Sequence, residues 1–153
     1  MTTIYLIRHA EAEGNLYRRI HGWYDSLITK NGERQIQALQ QRFDSVPIDA
    51  VYSSDLIRTQ LTAGAVYLPK GLPLHLHPGL REIHMGDWED RTWGEVRHFQ
   101  GDQLALFNHT DPSFQAPGGG EGFGPLGDRV YEAIRSIAQK HPDQNAVSYT
   151  HLT

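Results

Sequence analysis

Cysteine is absent from this 153-residue sequence, which excludes disulfides, thiolate nucleophiles and cysteine-ligated zinc. No block of basic residues stands out, and the net charge at pH 7 is −4. A general surface for nucleic acid or anionic lipid is therefore not expected, and any anion site must be a local cluster. Long apolar runs are missing too: none approaches the roughly 20 residues a membrane-spanning helix needs. Residues 4–7 are too short, and lack the flanking positive charge, to form a signal-peptide core. There is no internal repeat and no compositional break to mark a domain boundary. What is present is a globular balance of 39% hydrophobic and 21% charged residues, at a length that suits one domain. Residues 1–153 are expected to form that single domain, soluble and cytoplasmic.

The patterning predicts alternating strands and helices. Residues 3–7 (TIYLI) read as a strand covered on both faces, because β-branched and aromatic residues run continuously. Residues 8–28 read as a loop. Thr29 is a plausible helix N-cap, followed by Ile36, Leu39 and Phe43 at helical spacing. Pro47 closes that region, and residues 49–53 (DAVYS) read as a second buried strand. Ser54 or Asp55 is expected to cap a helix reaching about Tyr67, broken by Pro69-Lys70-Gly71. Residues 74–80 (LHLHPGL) alternate as an extended segment, and 92–99 read as helix. The proline- and glycine-rich stretch 108–127 reads as a long loop. A helix over about 128–139 follows, with Val130, Ile134 and Ile137 on one face, and residues 146–149 begin another strand. Such alternation predicts an α/β fold with a mostly parallel central sheet.

In an open parallel sheet, ligands bind beyond the carboxyl ends of the strands. The first strand ends at Arg8-His9. The second ends at Ser53-Ser54-Asp55, with Arg58 in the first turn of the next helix, and the last ends near His151. Two arginines, two histidines and a helix N-terminus are thus expected at one rim, a combination suited to a phosphoryl group. Neutral imidazole is a good nucleophile, and attack on phosphorus would give a phosphohistidine that water can hydrolyse. The leaving alcohol needs a proton from a carboxylic acid of raised pKa. Glu82 is the best-placed candidate, with Glu11, Glu13 and Glu89 as alternatives.

Several motifs in order then resemble one family. LIRHAEAEGN resembles the R-H-G-E-x-x-x-N signature of the histidine phosphatase superfamily, the phosphoglycerate-mutase-like enzymes. RIHGWYDSLITKNGERQIQAL, VYSSDLIRTQLTA, LREIHMGDWEDRTWGEV and APGGGEGF resemble its further segments in sequence order. The resemblance implies a three-layer α/β/α sandwich, C-terminally truncated here, and metal-free phosphoryl transfer without a cofactor. His9 would be the nucleophile and Glu82 the proton donor and then the base. Arg8, Arg58 and His151 would hold the phosphoryl oxygens, with Asn15, His21 and Gly22 completing the substrate-binding set. The implied activity is hydrolysis of small phosphomonoesters, so the expected partner is a small phosphorylated substrate, with no nucleic acid and no membrane.

The departures are specific. Ala10 stands where glycine is commonest, Leu61 replaces a glutamine and Gly122 a serine. Mutases typically carry serine and tryptophan where this chain has Ala12 and Gly14, which favours a phosphatase; a phosphoglycerate mutase and an inactive phospho-ligand-binding relative are the alternatives. The chain's last residues read NAVSYTHLT. His151 has the expected spacing from His141-Pro142, yet Ser148-Tyr149 also imitates the family's Ser-His pair with tyrosine in the histidine's place. His75 and His77 would share one face of a strand, but two ligands make no metal site. The tryptophans Trp23, Trp88 and Trp93 read as pocket rim or core.

Overall fold

The computed structural model describes residues 1–150. Four strands, β1 (Thr3–Arg8), β2 (Ala50–Ser53), β3 (Leu74–Leu76) and β4 (Asn145–Thr150), form one sheet in the order β1-β4-β2-β3, and every pairing among them is parallel. β4 lies between the two phosphate-motif strands, with Tyr149 level with Ile7 of β1 and Ser53 of β2.

Period-2 alternation divides the core into two layers, because successive strand side chains point to opposite faces. Val51, Val147 and Tyr149 pack with helix α2 (Lys30–Phe43) and helix α3 (Ile57–Lys70) through Phe43, Ala63 and Val66. Ala50, Tyr52 and Ala146 face Ala133 and Ile137 of helix α6 (Phe123–Lys140). Helices thus cover both faces, giving the three-layer α/β/α sandwich. Val51, Val66 and Val147 are fully buried, each contributing roughly 1.5–3 kcal/mol. A third cluster joins Ile20, Ile83, Met85, Trp88, Val96, Leu104 and Phe114. It draws in two further helices, α4 (Trp93–Phe99) and α5 (Gly101–Asn108), and builds one wall of the cavity described below.

Local chemistry explains where the observed elements depart from expectation. The 8–28 stretch contains a short helix, α1 (Glu13–Leu16), held by reciprocal bonds between Ala12 and Asn15. Pro69 sits inside α3 and does not break it, since it falls in the last turn; the helix stops at Gly71, whose φ of 63° is left-handed. Neither Ser54 nor Asp55 caps α3. Asp55 pairs with Arg81, and the Ile57 N–H is instead accepted by the Asp25 carboxylate. The helix N-terminus expected at the phosphate rim is therefore already occupied by an acid. β3 ends at Leu76, where Pro78 opens a 3-10 turn capped by the His77 ring. The expected loop 108–127 is shorter than its composition suggests. α5 precedes it, and α6 starts at Phe123 because Pro125, in the first turn, needs no helical N–H partner.

Candidate active site

β1 delivers His9 to the carboxyl end of the sheet and buries it to 7% exposure. Its Nδ1 lies 2.7 Å from the Ala10 carbonyl oxygen, which can only accept; Nδ1 therefore carries the hydrogen and Nε2 the lone pair. The turn is tied down from α3. The Ala10 N–H donates to Thr62 Oγ1 at 2.9 Å, and that hydroxyl donates to the Arg58 carbonyl at 2.7 Å. Ala10 is not among the positive-φ residues, so glycine's freedom is not needed there. Burial lowers the His9 pKa to about 4, with the Arg58 and Arg8 charges acting the same way. The imidazole is neutral at pH 7.

A cavity of about 230 Å³ opens at this rim. Its wall includes Arg8, His9, Asn15, His21, Gly22 and Glu82, which brings together six of the residues singled out from sequence. Asn15 anchors itself by accepting the Ala12 N–H at Oδ1, so its NH2 group is the part that can donate to a ligand. The His21 ring stands edge-on to His9 at 5.7 Å between centroids. Burial, reinforced by the Arg58 and His9 charges, lowers its pKa to about 3. Gly14 is what admits this ring: a Cβ there would lie 1.9 Å from His21 Nε2. Gly122 has a similar cause, since a Cβ would meet the Phe114 carbonyl at 2.6 Å. Neither Leu61 nor Gly122 reaches the cavity wall.

Arg58 occupies a different place from Arg8. It is fully buried and absent from the cavity wall, and its guanidinium donates to the Tyr24 and Gly22 carbonyls at 2.8 Å each. It holds the 22–24 backbone and places a fixed positive charge behind His9, His21 and Glu82.

Four carboxylates competed for the proton-donor position in the sequence, and the structure separates them. Only Glu82 lines the cavity. Glu11 accepts the Thr29 hydroxyl, and Glu89 accepts the Trp23 and Met85 N–H groups. Glu13 faces a separate recess beside Tyr17. Burial raises the Glu82 pKa to about 7, against the opposing pull of the Ile83 N–H and of Arg58, Arg8 and Arg129. A neutral imidazole lone pair and a carboxyl group that is about half protonated at pH 7 thus share one cavity.

What holds Glu82 in place was not legible in the sequence. Arg129 of α6 donates to the carbonyls of Gly79, Arg81 and Glu82 and forms a forked pair with Glu121. Glu121 in turn accepts the His84 N–H, and Trp23 Nε1 adds a second donor to the Glu82 carbonyl. APGGGEGF carried the hint at Glu121, but Arg129 lies 47 residues from Glu82 with no motif of its own. Replacing Arg129 with methionine removes the donor to the Gly79 and Arg81 carbonyls, leaves the Glu82 carbonyl with Trp23 alone and leaves Glu121 with the His84 N–H but no countercharge. The expected cost is about 2–4 kcal/mol, measured by urea unfolding. Arg129→Lys should recover less than half of it, because an ammonium cannot reproduce the planar fork. Both variants unfolding like the parent protein would refute this account of the network.

Of the remaining candidates, His75, His77 and Trp88 fall outside the site. His75 stacks on Tyr52 at 4.9 Å, and the His77 ring caps a turn. Trp88 is core and Trp93 lines the cavity, while Trp23 packs on His84 beneath the Arg81 guanidinium. Tyr149 packs in the apolar layer beside Val51 and Val147, so the position that imitates the family's histidine is a core position here. Thr150 pairs with Arg8 as the last described rung of the ladder. The second-histidine candidate, His151, lies outside the described residues. No helix among the described residues is long and apolar enough to cross a membrane.

Known proteins of similar sequence and fold identify the family. The family model described as histidine phosphatase superfamily (branch 1) matches residues 4–153. An Arabidopsis thaliana protein named metal-independent phosphoserine phosphatase is 32% identical over 157 residues, covering 99% of this chain and 64% of the relative. A Serratia proteamaculans protein named probable phosphoglycerate mutase GpmB is 37% identical over 136 residues, covering 89% of this chain and 63% of its own. The chain thus spans slightly under two thirds of these curated relatives. The solved structure of Bacillus stearothermophilus YhfR superposes with a TM-score of 0.92 at 36% identity, covering 99% of this chain and 74% of that one. With the family's motifs, sheet and pocket on one chain, and a family match along almost all of it, the chain belongs to the histidine phosphatase superfamily, branch 1.

Proposed function

We propose that the chain carries the site of a metal-independent phosphatase that hydrolyses small phosphomonoesters through a phosphohistidine at His9. The observation that carries this reading is the pairing, in one cavity, of a tautomer-fixed neutral His9 with a buried Glu82 whose pKa is raised to about 7. His9 Nε2 attacks phosphorus as the bond to the alcohol oxygen breaks, and that oxygen leaves with the electron pair and takes the Glu82 proton. The resulting carboxylate removes a proton from water, whose oxygen attacks phosphorus. The P–N bond then breaks, its electron pair returns to Nε2, and phosphate leaves. Arg8, Asn15, His21 and the Gly22 backbone contact the phosphoryl oxygens. Arg58 sets the local field from behind and orders residues 22–24. The printed name of the Arabidopsis relative describes a metal-independent phosphatase, which supports the same chemistry.

The test is hydrolysis of p-nitrophenyl phosphate with EDTA present. Turnover insensitive to the chelator, with an acid-labile, base-stable phosphoenzyme in quenched samples, is expected. Activity abolished by EDTA would overturn the mechanism. Supplying 3-phosphoglycerate separates the mutase reading, which requires 2-phosphoglycerate as product in place of released phosphate. Binding of phosphonates with no turnover of any phosphomonoester would identify a phospho-ligand-binding relative.

A further inference from the structure

Beyond the phosphoryl end, the cavity wall changes character. Ile20, Ile83, Met85, Trp93 and Phe107 line it together with Gly14, Arg18 and Arg19, and the five apolar side chains all belong to the third cluster or pack on it. Trp93 and Phe107 lie 5.6 Å apart at 30° between their planes. Phe107 is buttressed in turn by Trp88, Phe114 and Phe123. The Trp93 backbone N–H donates to the Arg18 carbonyl, and Arg18 holds a left-handed φ of 54°. The wall is therefore built in advance by packing in the protein itself.

We propose, resting on the phosphatase reading above, that the alcohol portion of the substrate is apolar and planar, seated against Trp93 and Phe107. Its class is an aryl or arylmethyl phosphate, as distinct from a phosphorylated carboxylic acid. Apart from the Trp93 indole N–H, these five side chains offer a carboxylate or hydroxyl no hydrogen bond to replace the water it would lose, so a polar leaving group is penalised there. A flat ring gains both apolar burial and aromatic contact. The two further arginines of the lining, Arg18 and Arg19, do not reverse this preference. Arg19 is already bonded to the Asp90 carbonyl and carboxylate, and Arg18 is exposed, where water and salt screen its charge.

Calorimetric titration with three phosphonates that cannot be hydrolysed tests the proposal. Benzylphosphonate should bind at least about ten-fold more tightly than methylphosphonate or 3-phosphonopropionate. Trp93→Ala should shrink that advantage to about three-fold or less while leaving methylphosphonate affinity within about two-fold. The comparison on the unaltered protein stands even where the variant fails to fold. Equal binding of the three, or tightest binding of 3-phosphonopropionate, overturns the proposal. No binding of any of them overturns it together with the phosphoryl site. Selective benzylphosphonate binding without hydrolysis of benzyl phosphate leaves the proposal standing and removes only the phosphatase reading.

Discussion

Replacing His9 with alanine should lower phosphomonoester turnover by about 10⁴-fold or more and eliminate the phosphoenzyme. The size follows from what the imidazole supplies. Without it, water must attack the phosphomonoester directly, and the division of one difficult step into two easier ones is lost. The fold should tolerate the change. The ring's bond to the Ala10 carbonyl is to its own neighbour, and the Ala10 N–H keeps its partner in Thr62, so the turn stays tied to α3. Circular dichroism checks folding while turnover checks the chemistry. Folded His9→Ala protein retaining more than about a hundredth of the activity would remove His9 from the nucleophile position.

Glu82→Gln has two expected effects of opposite sign. Turnover should fall by about 10²–10⁴-fold, because the amide can neither protonate the leaving alcohol nor activate water. Stability at pH 8 should rise, by up to about 3 kcal/mol. Burial raises the folded-state pKa from 4.5 to about 7, so the folded protein binds this proton more tightly than the unfolded chain. Stability from this group is full below pH 4.5 and declines as pH rises through 7, and glutamine cannot ionise. The amide oxygen can still accept the Ile83 N–H, so the local backbone stays bonded. In the proposed mechanism His9 is unprotonated, which requires a pH above about 4, and Glu82 protonated, which requires a pH below about 7. The pH profile of kcat/KM is therefore a bell between those limits, and its alkaline limb should flatten in Glu82→Gln. An ordinary structural glutamate would give neither the stability gain nor the change in limb.

Particular residues show how far the sequence could be read. Arg8-His9 was legible because an apolar run ending in two chemically active residues marks a strand's carboxyl end, where a parallel sheet places its ligands. The strand–helix alternation was legible from hydrophobic period, and so was Thr29 as a cap, whose hydroxyl accepts the Gly32 N–H within its own turn. α5 and the start of α6 were hidden by glycine and proline, whose composition signals loop even where a helix's first turn accommodates them. Asp25 as the cap of α3 was hidden because its 32-residue separation from Ile57 carries no local signal.

The sequence by itself determined the α/β class, the parallel sheet and the family, and singled out the residues that the cavity gathers. Each of these depends on residue type and short-range spacing. The tertiary structure alone decided which of four glutamates enters the cavity, that Arg58 stands behind its wall while Arg8 stands on it, and that Arg129 and Glu121 hold Glu82. It also decided that Tyr149 is core and that Trp93 and Phe107 line the pocket. The reason is physical: pKa, exposure and contact depend on which distant segments exclude water from a side chain, and that follows from packing.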